Sequence, residues 1–110
     1  MMKGRYRGDG MTSQEHLLAC LSEECAEVIK NVNKALRFGL EDRHPDKTET
    51  NFDLIAHELN DVYGVIELLG EHGICFTLNS MQIDAKKKKV KRYMEYARSK
   101  GAIEDKQPNN

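Results

Sequence analysis

Residues 12–39 read TSQEHLLACLSEECAEVIKNVNKALRFG, and their periodicity decides the fold class. Leu17, Leu21, Cys25, Val28, Val32 and Leu36 recur at three- and four-residue spacing, the pattern of one apolar stripe along an α-helix. Thr12 followed by Glu15 spells a capping box, in which each side chain serves a backbone N–H that the first helical turn leaves free. Gly39 is a natural C-terminal stop, because glycine adopts the backbone conformation that ends a helix without steric penalty. A helix from Thr12 to about Phe38 is therefore expected.

The same period returns downstream. Ile55, Leu59, Val62, Ile66 and Leu69 mark a second helix, starting near Thr50 or Asn51 with Thr50 and Asp53 as a looser capping box, and ending between Gly70 and Gly73. Gly64 lowers the propensity of that helix and suggests a close helix crossing. Asn79 to Gln82 resemble a third N-cap, and Ile83, Val90, Met94 and Ala97 give the face of a last helix running to Gly101. Between the first two helices, residues 39–51 (GLEDRHPDKTETN) are polar, contain Pro45 and show no period, which reads as a long loop. Residues 74–78 are short and apolar and fit either an extended piece or a helical turn. The fold class is all-α: an antiparallel bundle of about three to five helices. A single domain is expected over residues 12–101, with a flexible N-terminus over 1–11 and a frayed tail over 102–110.

At 110 residues, 39% hydrophobic and 32% charged, one such domain can bury only a modest core, so part of its apolar surface is expected to be shared with another subunit. The net charge of −1 argues against a dedicated nucleic-acid binder. No apolar run approaches the ~18 residues of a membrane span, and the basic start has no apolar stretch after it, so neither a membrane segment nor a signal peptide is expected. Cys20, Cys25 and Cys75 are odd in number and lack metal-type spacing. They read as free thiols buried on helices, which suits a reducing cytoplasm. Arg7-Gly8-Asp9 is a chance tripeptide in such a protein.

The chemistry concentrates in two strings, SEECAE over 22–27 and HELND over 57–61. Glu24 and Glu27 are three apart and project from one helix face a turn apart; Glu58 and Asp61 repeat this on the next helix. An antiparallel pairing brings the two sets face to face, at the edge of the apolar seam. Four converging carboxylates cannot all stay ionised without a cation, because like charges raise one another's pKa. An all-oxygen set suits Mg²⁺, with Mn²⁺ as a substitute. The bland reading stands beside this one: acidic pairs at i, i+3 commonly face solvent or pair with lysine, and spacing alone leaves both open.

Other motifs fall away. His57-Glu58 lacks the second histidine of a zinc protease, where Asp61 stands instead, and neither string has the Glu-x-x-His of di-iron bundles. Asn31 and Lys34 continue the stripe of Glu24 and Glu27 and are candidates for phosphate or sugar contacts, with Arg37 a further one. Lys86–Lys89 with Lys91 and Arg92 form a basic cluster, read first as a solvated face and second as a triphosphate or nucleic-acid contact.

Glu-Glu-x-x-Glu at 23–27, followed by Glu-x-x-Asp at 58–61, resembles the signature of the MazG-like all-α NTP pyrophosphatases. This superfamily includes dimeric dUTPases and dCTP pyrophosphatases. The likeness runs through EECAEVIKNVNKALRFG (23–39), HELNDVYGVIELL (57–69) and the Lys-rich last helix, over roughly residues 12–101. The stretch between Glu27 and Glu58 is longer than is usual in the family. The resemblance implies that Glu24, Glu27, Glu58 and Asp61 bind Mg²⁺ and that activated water attacks a phosphorus of a (deoxy)nucleoside triphosphate. Nucleoside monophosphate and pyrophosphate are then released. It also implies that Glu24 orients or deprotonates the water, and that the chain forms a homodimer or homotetramer in which helices of two subunits line the pocket. Two other functions fit the same residues: a helical oligomer that binds nucleotide or metal without turnover, and a helical interaction protein that uses the basic last helix.

Overall fold

Three α-helices organise the described residues, 10–105, of the computed structural model: α1 (Ser13–Phe38), α2 (Asn51–Glu71) and α3 (Ser80–Ser99). The all-α expectation holds, with one isolated antiparallel bridge, Arg43 with Thr50, as the only extended pairing among the described residues. The chain divides into two units, one running to Phe76 and the other starting at Thr77. Of the flexible segments expected over 1–11 and 102–110, residues 1–9, with the 7–9 tripeptide, and residues 106–110 lie outside the described residues.

Both capping boxes form. Thr12 Oγ1 accepts from Glu15 N at 3.1 Å while Glu15 Oε1 accepts from Thr12 N at 2.9 Å. Thr50 and Asp53 exchange the equivalent bonds at 3.1 and 3.0 Å, so the shorter aspartate serves as well as a glutamate. α1 and α2 pair antiparallel and are tied at both ends. At one end Gln14 Nε2 donates to the His72 carbonyl at 2.7 Å, passing 3.4 Å from where a Cβ on Gly73 would stand. At the other, Asn51 Nδ2 donates to the Gly39 carbonyl at 2.8 Å. Gly39 itself has φ +103°, a conformation that disfavours any side chain.

The loop between them is zipped at its base. Asn51 N and Phe52 N donate to the Asp42 and Leu40 carbonyls, both at 2.8 Å, which uses the first N–H groups of α2. Residues 74–79 form no regular structure, so the segment that sequence left open is not a helical turn.

The seam between α1 and α2 differs from the predicted stripe. The faces withdrawn from solvent run through Leu17, Leu21, Glu24, Val28 and Asn31 on α1, and through Asn51, Ile55, Glu58, Val62 and Leu69 on α2. Polar residues therefore sit within the seam rather than at its edge. Val32 and Leu36 lie outside it, Leu36 80% exposed. Gly64 marks no close crossing, since nothing lies within 4 Å of where its Cβ would be. The three cysteines are free, but Cys25 and Cys75 are exposed and Cys20 is half-buried. Cys25 falls on the outer side of a seam that turned toward Glu24.

In the second unit, Asn79 Oδ1 caps α3 by accepting from Gln82 N at 3.0 Å. The helix ends with Arg98 Nε donating to Asp105 Oδ2 at 2.8 Å. None of its residues is buried.

Candidate metal centre

One turn of α1 and one of α2 build the site. Near the middle of the seam, the carboxylates of Glu24, Glu58 and Asp61 converge, each offering an oxygen within 4.8 Å of the others. All three are half-buried. Helical spacing brings them together: Glu58 and Asp61 are one turn apart on α2 and share a face, and antiparallel packing sets Glu24 across from them. Glu27, a turn further along α1, is exposed and stands outside this group, though its charge still reaches Glu58.

Glu58 is the crux. Its Oε2 is shut off from solvent and receives no hydrogen bond. What faces its carboxyl is another carboxylate, that of Glu24, and this contact holds the Glu58 pKa above its ordinary 4.5. Burial adds to the rise, followed by the charges of Glu24, Asp61 and Glu27. Two acceptors in contact need something between them, either a proton or a cation. An orphaned, enclosed oxygen in an all-carboxylate group fits a hard divalent cation, which would satisfy it and neutralise its neighbours at once. On the rim, His57 Nε2 lies 3.8 Å from Asp61 Oδ2. The imidazole that fails as a zinc ligand is thus a neighbour of a carboxylate in the group.

The remaining candidates separate along α1. Asn31 lies seven residues from Glu24, about 10.5 Å by helical rise, and is 7% exposed. Its carboxamide makes no hydrogen bond among the described residues. Lys34 is half-buried and lines a cavity under the 39–50 loop. Arg37 is exposed, with its guanidinium 5.5 Å from the Phe38 ring centroid, so the structure does not bring it to the carboxylates. Sequence reasoning missed Asn51, which is 4% exposed and closes the loop end of the pair. A polar residue one place after an N-cap carries no signal of burial. The basic cluster over residues 86–92 lies on α3 in the second unit, fully on the exposed surface.

No helix of the described residues is long and apolar enough to cross a membrane. No family model matches the chain, and no curated protein or solved structure matches it either.

Proposed function

We propose that the chain is a divalent-cation-dependent nucleoside triphosphate pyrophosphohydrolase, releasing (deoxy)nucleoside monophosphate and pyrophosphate. The observation that carries the reading is the donorless, enclosed Oε2 of Glu58 set against Glu24, with Asp61 completing a three-carboxylate group. The resemblance of both acidic strings to the MazG-like enzymes supplies the reaction.

Glu24, Glu58 and Asp61 would hold the cation, with Glu27 at its rim. When bound, Mg²⁺ supplies Lewis acidity, neutralising phosphoryl charge and lowering the pKa of water. The side chains do the rest. Glu24 orients the attacking water and takes its proton; the new P–O bond forms at the α-phosphorus as the α–β bridging bond breaks, and pyrophosphate leaves. His57 steadies Asp61 from the outer side. Rigid helices hold these groups, which keeps their geometry before the substrate arrives.

Association of two or four copies belongs to the same proposal. Leu36 is 80% exposed, Ile29 63% and Tyr63 55% in the single chain, more outward apolar surface than isolated residues account for.

The test is Mg²⁺-dependent pyrophosphate release from a panel of canonical and modified nucleoside triphosphates. Asp61→Asn or Glu27→Gln is expected to lower kcat by about a hundredfold or more, with an unchanged helical circular-dichroism spectrum. Full activity in both variants removes the site. Nucleotide-induced thermal stabilisation without product replaces hydrolysis by binding.

A further inference from the structure

The stripe that starts at the carboxylates ends in a cavity. Beneath the 39–50 loop, at the C-terminal end of α1 and the start of α2, lies a space of about 190 Å³. Phe38 and Pro45 give it apolar walls, and Lys34, Asp42 and His44 bring polar groups to it. That volume is below the roughly 300–1,000 Å³ of pockets that enclose whole ligands. It takes one ring system, not a complete nucleotide.

Three observations tie this cavity to the metal centre. Lys34 is ten residues from Glu24 along α1, about 15 Å of rise, and its side chain leans back toward Asn31 as helical geometry requires. Asn31 occupies the interval, 7% exposed, with a carboxamide that no described residue engages. Asn51, on the cavity wall, is seven residues from Glu58, so both helices carry a buried amide two turns from the carboxylates. The Asn51 amide is spent on the Gly39 carbonyl, whereas the Asn31 amide atoms stay open to solvent, Glu58 Oε2 being the one enclosed side-chain atom without a partner among the described residues, so a ligand can reach them. The side chains of Lys34, Arg43 and Asp42, all on the cavity lining, make no hydrogen bond or ion pair among the described residues, which leaves two cationic donors and one acceptor free for a ligand edge.

Resting on the hydrolase reading above, we infer that this loop cavity receives the heterocycle of the nucleotide. Phe38 and Pro45 flank the ring, Lys34 and Asp42 meet its polar edge, and Asn31 faces the sugar between base and phosphates. A planar heterocycle with donors and acceptors on its rim matches apolar walls with a few convergent polar groups. An inorganic anion does not, because Asp42 stands among the basic residues and the first N–H groups of α2 are already engaged.

Amide chemical shifts of the full chain test this without relying on turnover. A nucleoside monophosphate, titrated without divalent cation, is expected to shift the amides of residues 38–51, while pyrophosphate leaves them in place. Phe38→Ala, at a residue 63% exposed and therefore safe for folding, abolishes the shifts. In steady state, Phe38→Ala and Asp42→Asn each lower the preference in kcat/KM for nucleoside triphosphate over inorganic tripolyphosphate by about tenfold, through KM, since base–aromatic stacking and one edge hydrogen bond are each of that size. Equal shifts with pyrophosphate, or silent loop amides, overturn the inference. Loop shifts with no pyrophosphate release from any triphosphate sink the hydrolase reading and leave the base pocket standing.

Discussion

Replacing Glu58 by glutamine tests the carboxylate group through stability alone. In the chain without cation, the Glu58 carboxyl faces Glu24 and has an oxygen with no donor. Two unit charges at about 4 Å repel by about 1 kcal/mol in water and about 4 kcal/mol at an effective dielectric of 20. The group is half-buried, so a value near the lower end applies, about 1–2 kcal/mol. Glu58→Gln removes that repulsion and gives Glu24 an N–H donor. The variant should therefore be more stable than the parent in EDTA at pH 8. At ~4–8 °C per kcal/mol for a domain of this size, the melting temperature rises by roughly 5–10 °C.

The pH dependence has a defined sign. A carboxyl whose folded pKa lies above its unfolded value binds more protons in the native state, so stability falls as pH rises through that interval. For Glu58 the interval starts at 4.5 and extends upward. The gap in melting temperature between Glu58→Gln and the parent should accordingly be smallest near pH 4.5 and widen toward pH 8. Mg²⁺ reverses the order: at a hundred times its Kd it stabilises the parent by about 2.7 kcal/mol and leaves the variant nearly unmoved. Melting curves by circular dichroism, with and without Mg²⁺ at both pH values, give all four numbers. A variant that melts below the parent in EDTA at pH 8, with no response of the parent to Mg²⁺, refutes the reasoning.

Three further outcomes follow from single contacts. Asn51→Ala removes the shorter of the two hydrogen bonds that the Gly39 carbonyl accepts, leaving the one from Asp42 N, and opens the loop base, costing about 1 kcal/mol in denaturant unfolding with the α1 and α2 caps intact. Asp53→Asn removes a carboxylate whose pKa is lowered chiefly by the Thr50 backbone N–H. The stability that Asp53 contributes is present above its ordinary 3.8 and is lost as pH falls through its lowered folded value, so the parent's advantage over Asp53→Asn should shrink below about pH 4. Leu36→Lys changes a residue 80% exposed in the single chain, where a free surface would shift stability by less than about 0.5 kcal/mol. Sedimentation analysis should instead show dissociation to a smaller species.

Much of the helical frame is legible because its signals are local. Thr12 with Glu15 and Thr50 with Asp53 set two helix starts through side chains three residues apart, and Gly39 sets an end through its own backbone freedom. The seam is harder, because a helix with apolar residues on more than half its circumference has several faces it can turn inward. Here α1 turns Glu24 and Asn31 toward α2 and leaves Val32 and Leu36 outside, a choice that depends on the partner surface and not on α1 itself. The i, i+3 acidic spacing predicts which carboxylates share a face. It does not predict that Glu27 falls outside the tight group while Glu24 falls within it, since the two stand only about 60° apart around the helix axis and only the packing angle separates them.

That choice of seam has an energetic consequence that links fold to function. Had Leu36 and Val32 turned inward, the pair would bury more apolar surface, at ~25 cal/mol per Å². Instead the described chain fully buries one large side chain, Leu69, and commits Glu24, Asn31, Asn51, Glu58 and Asp61 to the interface between its two longest helices. A polar seam of this kind is weak without a ligand, because an enclosed carboxylate oxygen with no donor is destabilising. Under the proposed function it gains stability when a cation and a polar substrate complete the site. Binding and folding would then be coupled at the same residues, and in the proposed oligomer the apolar side chains left outward, Ile29 and Leu36 on α1 and Tyr63 on α2, would be where a second copy supplies the burial that the seam forgoes. A seam optimised for the lone chain would have the opposite layout, leucines inside and glutamates in water, and would have no site.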